Sequence, residues 1–339
     1  MMEHALMCPQ CNAPLSPHRF ARSVVCAYCG ATVQLDESAV AASRFREAFR
    51  IWNDPGSYQV SSWLALGNRH WAVEDLIGRG ETSDVYSGRL ARWPTELVII
   101  KVLRDRKDAE HFDNEWNALQ SLHFSNAPGA DTFTTLLPQL IVHGDVATGA
   151  FAGHRASIFR WASGFYHTFE DVLRVFPQGI PPQASIWVWR RILELLTFVH
   201  SSGMAHGAIV PAHLLVQEGE HGVRLVGYGN AGRFNEKLHS VPAGYESFYP
   251  QSPRSGQNLT AQLDLMMSAR CIAAILGGDP ESASLPRQVP DQLAGIIKRI
   301  ALSGPDRASG EDAWAIREKL GQISNDVFGQ PRFMPIVMP

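Results

Sequence analysis

A chain of 339 residues is long enough for two folded domains, and its 45% apolar and 19% charged residues are the mixture of an ordinary globular protein. A net charge of -3 gives no electrostatic case for nucleic acid or for an anionic membrane surface as partner. The opening residues lack a basic, apolar leader, and ARCIAAILGG, the most apolar run, is short and carries Arg270, so a cytoplasmic chain without membrane attachment is expected.

Four of the five cysteines fall in two pairs, Cys8-Pro9-Gln10-Cys11 and Cys26-Ala27-Tyr28-Cys29-Gly30, with fourteen residues between them. An odd total argues against a disulfide framework, and paired C-x-x-C spacing in a reducing compartment binds metal. Thiolates two residues apart in a tight turn share one ion. Gly30 permits the turn beneath the second pair, and two pairs close a tetrahedral Cys₄ shell around zinc with no open position for chemistry. Over residues 1–36 the pattern resembles the zinc-ribbon family, and the role expected of the zinc is to fold a piece too small for its own core. Arg19 and Arg22 are the only basic groups here besides histidines, a thin basis for nucleic-acid contact.

Residues 37–60 read as a connector. Val40, Phe45, Phe49 and Ile51 predict an amphipathic helix, and Asp54-Pro55-Gly56-Ser57 a turn. Beyond it, the alternation in WAVEDLIG and TELVIIKVL predicts strands to about residue 104. Phe112, Trp116, Leu119 and Leu122 mark an amphipathic helix over 108–122, and more strands follow to about 162. Helical patterns then dominate: SIWVWRRILELLTFVHSSG, AQLDLMMSARCIAAILGG and DQLAGIIKRIALSG. Strands followed by helices give an α+β fold. Cys271 reads as a small buried side chain. The tail, 323–339, is apolar and from Val327 onward carries three prolines that forbid a helix, so it is expected to be either a strap or a partner-docking peptide.

Several motifs stand in a telling order. Ile77-Gly78-Arg79-Gly80-Glu81-Thr82-Ser83-Asp84-Val85 is a glycine loop with Ser83 at its third glycine, and Val98-Ile99-Ile100-Lys101 ends an apolar strand fourteen residues before Glu115. His206-Gly207-Ala208-Ile209-Val210-Pro211-Ala212-His213-Leu214-Leu215 is followed by Leu225-Val226-Gly227-Tyr228-Gly229, Tyr249-Pro250-Gln251, Asp264 and Arg307. From residue 71 to about 320 this order resembles the protein-kinase family. The resemblance implies a bilobal kinase-like domain over 61–322, with a β-rich N-lobe and a helical C-lobe, behind the zinc ribbon.

The resemblance also implies roles. Gly78, Gly80, Val85, Lys101 and Glu115 match the nucleotide-holding positions, while Ile99 replaces the alanine that lies against adenine. Ala208 stands at the catalytic base, Val210 at the lysine, His213 at the metal-binding asparagine and Gly227 at the main magnesium-binding aspartate. Neither Ala208 nor Gly227 can accept a proton or ligate a hard cation, and imidazole favours zinc-like ions over magnesium. The expectation is a pseudokinase: ATP bound weakly or not at all, magnesium not bound, no phosphoryl transfer, and function as a scaffold or regulator of partner proteins. Gln251 leaves Arg307 without the usual glutamate, and Asp264 is a fold residue. Asn230 and Glu218 lie near the lost positions in sequence. Two alternatives stand beside this: an atypical nucleotide-using transferase built on Gly78, Gly80, Lys101 and Glu115, and a zinc-ribbon nucleic-acid binder.

Overall fold

The computed structural model describes residues 62–91, 93–162, 164–217, 222–250, 256–304, 311–330, 334 and 336–338, together with the backbone of four short strands near the N-terminus. Strand β1 (Leu6–Met7) pairs antiparallel with β2 (Pro14–Leu15), and β3 (Ser23–Val25) with β4 (Thr32–Gln34). Each connection spans one C-x-x-C pair. The four cysteines, the connecting helix expected over 37–53 and the turn at 54–57 lie outside the described residues, as do Glu218, Gln251 and Arg307.

The chain divides into two compact units, one of Met1–Cys8, Pro14–Asn117 and Pro138–Ala162, the other of Pro9–Ala13, Ala118–Leu137 and Ser163–Pro339. The first is built on an antiparallel sheet of β5 (Trp63–Leu66), β6 (Arg69–Arg79), β7 (Ser83–Leu90), β8 (Trp93–Leu103), β9 (Leu140–Asp145), β10 (Thr148–Gly149) and β11 (Arg155–Arg160). Their spatial order is β10-β5-β6-β7-β8-β11-β9. The alternation legible in the sequence sorts β8 into two faces. Val98, Ile100 and Val102 join Leu64, Trp71, Ala156 and Ile158 in the apolar core, and Ile99 and Lys101 turn to the other side. The sheet curls until β5 meets β9, an approach that needs Gly67, because a Cβ there would stand 2.4 Å from the Val142 side chain. Helix α1 (Ala109–His123) places Phe112, Leu119 and Leu122 in buried positions.

The second unit is mainly helical. After the short α2 (Ala130–Phe133), β12 (Phe165–Thr168) leads into α3 (Phe169–Val175), whose start is fixed by a capping box: Thr168 Oγ1 accepts from the Asp171 N–H, and Asp171 Oδ2 accepts from the Thr168 N–H. Helix α4 (Pro182–Ser201) opens on Pro182, where a missing N–H costs nothing. Strands β13 (Met204–Ala205), β14 (Leu214–Gln217), β15 (Val223–Leu225) and β16 (Gly232–Arg233) form two small pieces of sheet, β12-β14-β15 and β13-β16. Helix α5 (Ala261–Ile275) is buried on every side from Gln262 onward, as its nearly uniform apolar sequence requires. Trp189 donates to Ser268 Oγ at 3.1 Å and so joins α4 to α5.

Helices α6 (Asp291–Ala301) and α7 (Ala313–Phe328) follow. Helix α7 runs six residues past the boundary expected at 322. Ile323 continues the buried stripe of Ile316 and Leu320, so Val327 and Phe328 end the helix rather than opening the tail. Beyond Gly329, Ile336 and Met338 are buried while Val337 between them is exposed. Arg224 on β15 is buried, which lowers its pKa to about 10, and it donates to the Leu137 and Thr135 carbonyls. Among the described residues no helix is long and apolar enough to cross a membrane.

Candidate functional site

The glycine loop is the hairpin between β6 and β7, with Gly78 opposite Val85 and Arg79 opposite Asp84. Its tip is closed by its own backbone: Gly80 N–H donates to the Ser83 carbonyl at 2.8 Å. Arg104 holds the loop from outside. Its guanidinium donates to Asp84 Oδ1 at 2.8 Å, to the Gly80 carbonyl at 2.6 Å, to the Ser83 carbonyl at 3.3 Å and to the Glu81 carbonyl. Val85 lies directly across from Lys101 on the neighbouring strand, so both share the sheet face opposite the apolar core. The expected ion pair is formed, with Lys101 Nζ 2.5 Å from Glu115 Oε2, and Glu115 is 5% exposed, which makes the pair a partly desolvated one.

Next to this pair stands an array that the sequence did not announce. His143 Nε2 lies 3.0 Å from Asp113 Oδ1, and its Nδ1 lies 2.8 Å from Ser157 Oγ. Burial pushes the His143 pKa down, against the pull of Asp113. The trio has the residue types of a hydrolase triad, but Ser157 is 1% exposed, so its hydroxyl meets no substrate. The array fastens α1 to the sheet, with Arg155 also on Asp113 at 2.5 Å and Trp116 stacked on the His143 ring.

In the second unit the loop around Ala208 is held by Asp264, in the first turn of α5 and fully buried. Its two oxygens accept the His206 N–H at 2.8 Å and the Gly207 N–H at 2.9 Å, and His200 Nε2 lies 2.9 Å from Oδ2. Gly207 sits at φ +71°, where a Cβ would meet the Asn230 carbonyl at 2.9 Å. His206 is buried between these elements: its Nδ1 accepts from the Ala208 N–H, and its Nε2 faces the Val226 carbonyl at 3.2 Å.

The structure brings Ala208, His213 and Gly227 together. His213 Nδ1 donates to the Ala208 carbonyl at 2.8 Å, and its imidazole then lies over Gly227, where a Cβ would stand 2.5 Å from the ring. The space that a side chain at 227 would enter is therefore occupied by the histidine. Asn230 is turned away into a structural pair, donating to the Ser240 carbonyl and accepting its N–H.

Three further side chains support this loop and the segment after it. Arg270 was noted only as a charge inside an apolar run, yet it is buried and donates to the Ser247, Tyr249 and Ala301 carbonyls. A cation amid apolar helix residues must find such acceptors, and that was its signal. Tyr249 in turn donates to the Gly207 carbonyl at 3.0 Å, and Cys271 Sγ donates to the Ile209 carbonyl.

A family model of the PriA DNA helicase Cys-rich region matches residues 8–33. Among solved structures, a rhoptry kinase from Toxoplasma gondii aligns with a TM-score of 0.59 at 13% identity, over 78% of this chain and 83% of that one. The BubR1 kinase domain aligns with a TM-score of 0.58 at 15% identity, over 84% and 92%. No curated protein sequence matches the chain. The chain thus has a kinase-like fold behind a cysteine zinc ribbon. Four cysteine thiolates in two C-x-x-C pairs are a donor set suited to zinc.

Proposed function

We propose that this chain is a catalytically inactive kinase-like protein that acts by binding other proteins as a scaffold or regulator. The observation that carries the reading is the meeting of His213 and Gly227. Where an active kinase needs a carboxylate for magnesium, this chain has no side chain, and an imidazole fixed by the Ala208 carbonyl fills the gap. Ala208 supplies no base for a substrate hydroxyl. Charge neutralisation by metal is most of what a phosphoryl-transfer site provides, so losing these groups removes the reaction rather than slowing it.

Three supporting contacts are kept by contrast. Lys101 and Glu115 are paired, Asp264 holds the loop, and Arg270 braces the following segment. Such a frame keeps a surface in shape, which is what a binding protein needs. Gly80 uses its N–H within the loop, and Ile99 adds bulk on the strand carrying Lys101, so ATP is expected to bind weakly or not at all.

The test is a thermal-shift titration with ATP, with and without magnesium, since ligand binding stabilises by RT ln(1 + [L]/Kd). Little or no shift is expected in either arm, and no transfer of radiolabel from ATP to the chain or to captured proteins. Label that disappears in Lys101→Ala would instead establish the transferase alternative. The match to the PriA helicase region favours a second reading, in which the ribbon contacts DNA. Fluorescence anisotropy with labelled single-stranded DNA separates the two, because binding that is lost in Cys26→Ser supports DNA contact.

A further inference from the structure

Helices α4 and α7 flank a half-open cavity of about 290 Å³, lined by Trp187 and Arg190 on one side and Gly321, Gln322, Ser324 and Asn325 on the other. Its centre of charge is Arg190. The guanidinium lies 5.7 Å from the Trp187 ring centre and 3.9 Å from where a Cβ of Gly321 would be, so a larger side chain at 321 would pack against it. Its Nε is buried with no hydrogen-bond partner.

The carboxylates near Arg190 are engaged elsewhere. The groups acting on it are Arg191, Arg317, Glu194 and Glu318, and burial together with Arg317 lowers its pKa. Both carboxylates are already taken: Glu194 by Arg191 at 2.7 Å and Arg317 at 2.9 Å, and Glu318 by Arg317. With those carboxylates engaged by Arg191 and Arg317, Arg190 itself is in no ion pair among the described residues. A half-buried guanidinium in that position is held at a cost unless an acceptor arrives.

We infer that this cavity is a binding site for a carboxylate-bearing ligand, which closes a two-pronged contact with Arg190. A planar carboxylate matches the guanidinium fork. A single negative charge meets the single positive one of Arg190, whereas a phosphate dianion would bring excess charge against Glu318, which also lines the cavity. Amide and hydroxyl groups of Gln322, Ser324 and Asn325 supply further polar contacts, and Trp187 offers an apolar face. The volume suits a small organic acid or the acidic side chain of a protein. The inference is independent of whether the kinase-like fold binds nucleotide.

Isothermal titration of the full chain with benzoate, with acetyl-glutamate amide and with inorganic phosphate tests it. Saturable binding of a carboxylate, weakened on the order of 10- to 100-fold in Arg190→Met, is expected, as is loss in Gly321→Leu, whose side chain packs against the guanidinium and fills the space beside it while keeping the positive charge. Tighter binding of benzoate identifies a free acid as the natural class, and tighter binding of acetyl-glutamate amide an acidic side chain. Phosphate binding as tight as either carboxylate, wild-type affinity in both variants, or no carboxylate binding at about 50 mM, where even a Kd of about 10 mM would fill roughly four-fifths of the sites, overturns the inference.

Discussion

A Cβ at position 227 would stand 2.5 Å from the Cδ2 and Nε2 atoms of His213, a distance that no real side chain tolerates. The ring cannot simply swing aside, because its Nδ1 is tied to the Ala208 carbonyl. Gly227 also sits at φ +77°, a conformation that aspartate accepts at small cost and bulkier residues do not. Gly227→Asp is therefore expected to cost about 1–3 kcal/mol through overpacking, lowering Tm by several degrees. Adding His213→Ala opens the space and is expected to recover most of that loss, although His213→Ala alone gives up its own hydrogen bond. Calorimetric unfolding of the four proteins forms a double-mutant cycle. Costs that simply add would mean that the two residues do not compete for the same space.

Among the elements, the segment after α7 shows how a short extended piece can contribute without secondary structure. Ile336 and Met338 are buried on either side of exposed Val337, the two-residue period of an extended chain laid on a surface. Of the two roles expected for the tail, strap and docking peptide, these buried positions fit the strap. Cutting the chain after Gln330 removes both buried side chains and is expected to cost roughly 3 kcal/mol, seen as a lower midpoint in urea. Val337→Ser is expected to change stability by less than about 0.5 kcal/mol. A truncated chain as stable as the full one would mean that the two side chains contribute no binding energy to the fold.

At the level of the whole molecule, metal and core are expected to be separable. One zinc ion per chain should be found by elemental analysis and should be lost in Cys26→Ser. The kinase-like part builds its cores from Leu, Ile, Val and aromatic side chains, so its unfolding transition should survive a chelator unchanged. A transition that shifts with chelation would tie the ribbon to the stability of the rest. The order of the motifs and the change from strand to helix patterns were legible because periodicity and spacing are properties of the sequence itself. Lys101 and Glu115 belonged to that class through their fourteen-residue spacing, one ending an apolar strand and the other within the buried stripe of Phe112, Leu119 and Leu122 on an amphipathic helix. That Arg270 needed acceptors was legible, but which groups hold Arg104 and Arg270 was not, because most are main-chain carbonyls, and every residue carries one of those. The end of α7 was placed too early for a different reason: the prolines announced where the helix had to have stopped, whereas Ile323 and Gly329 marked where it did.

The fully buried Asp264 has a consequence for the clock of the molecule. The amide protons of His206 and Gly207 both point into its carboxylate, inside a helix with no exposed side. No local fraying of the loop frees them, since the acceptor moves only when the centre of the second unit opens. In deuterated solvent these two amides should be among the last to exchange, with a protection that equals the stability of that whole unit. The loop around Ala208 is thereby a built-in gauge of the opening of the second unit.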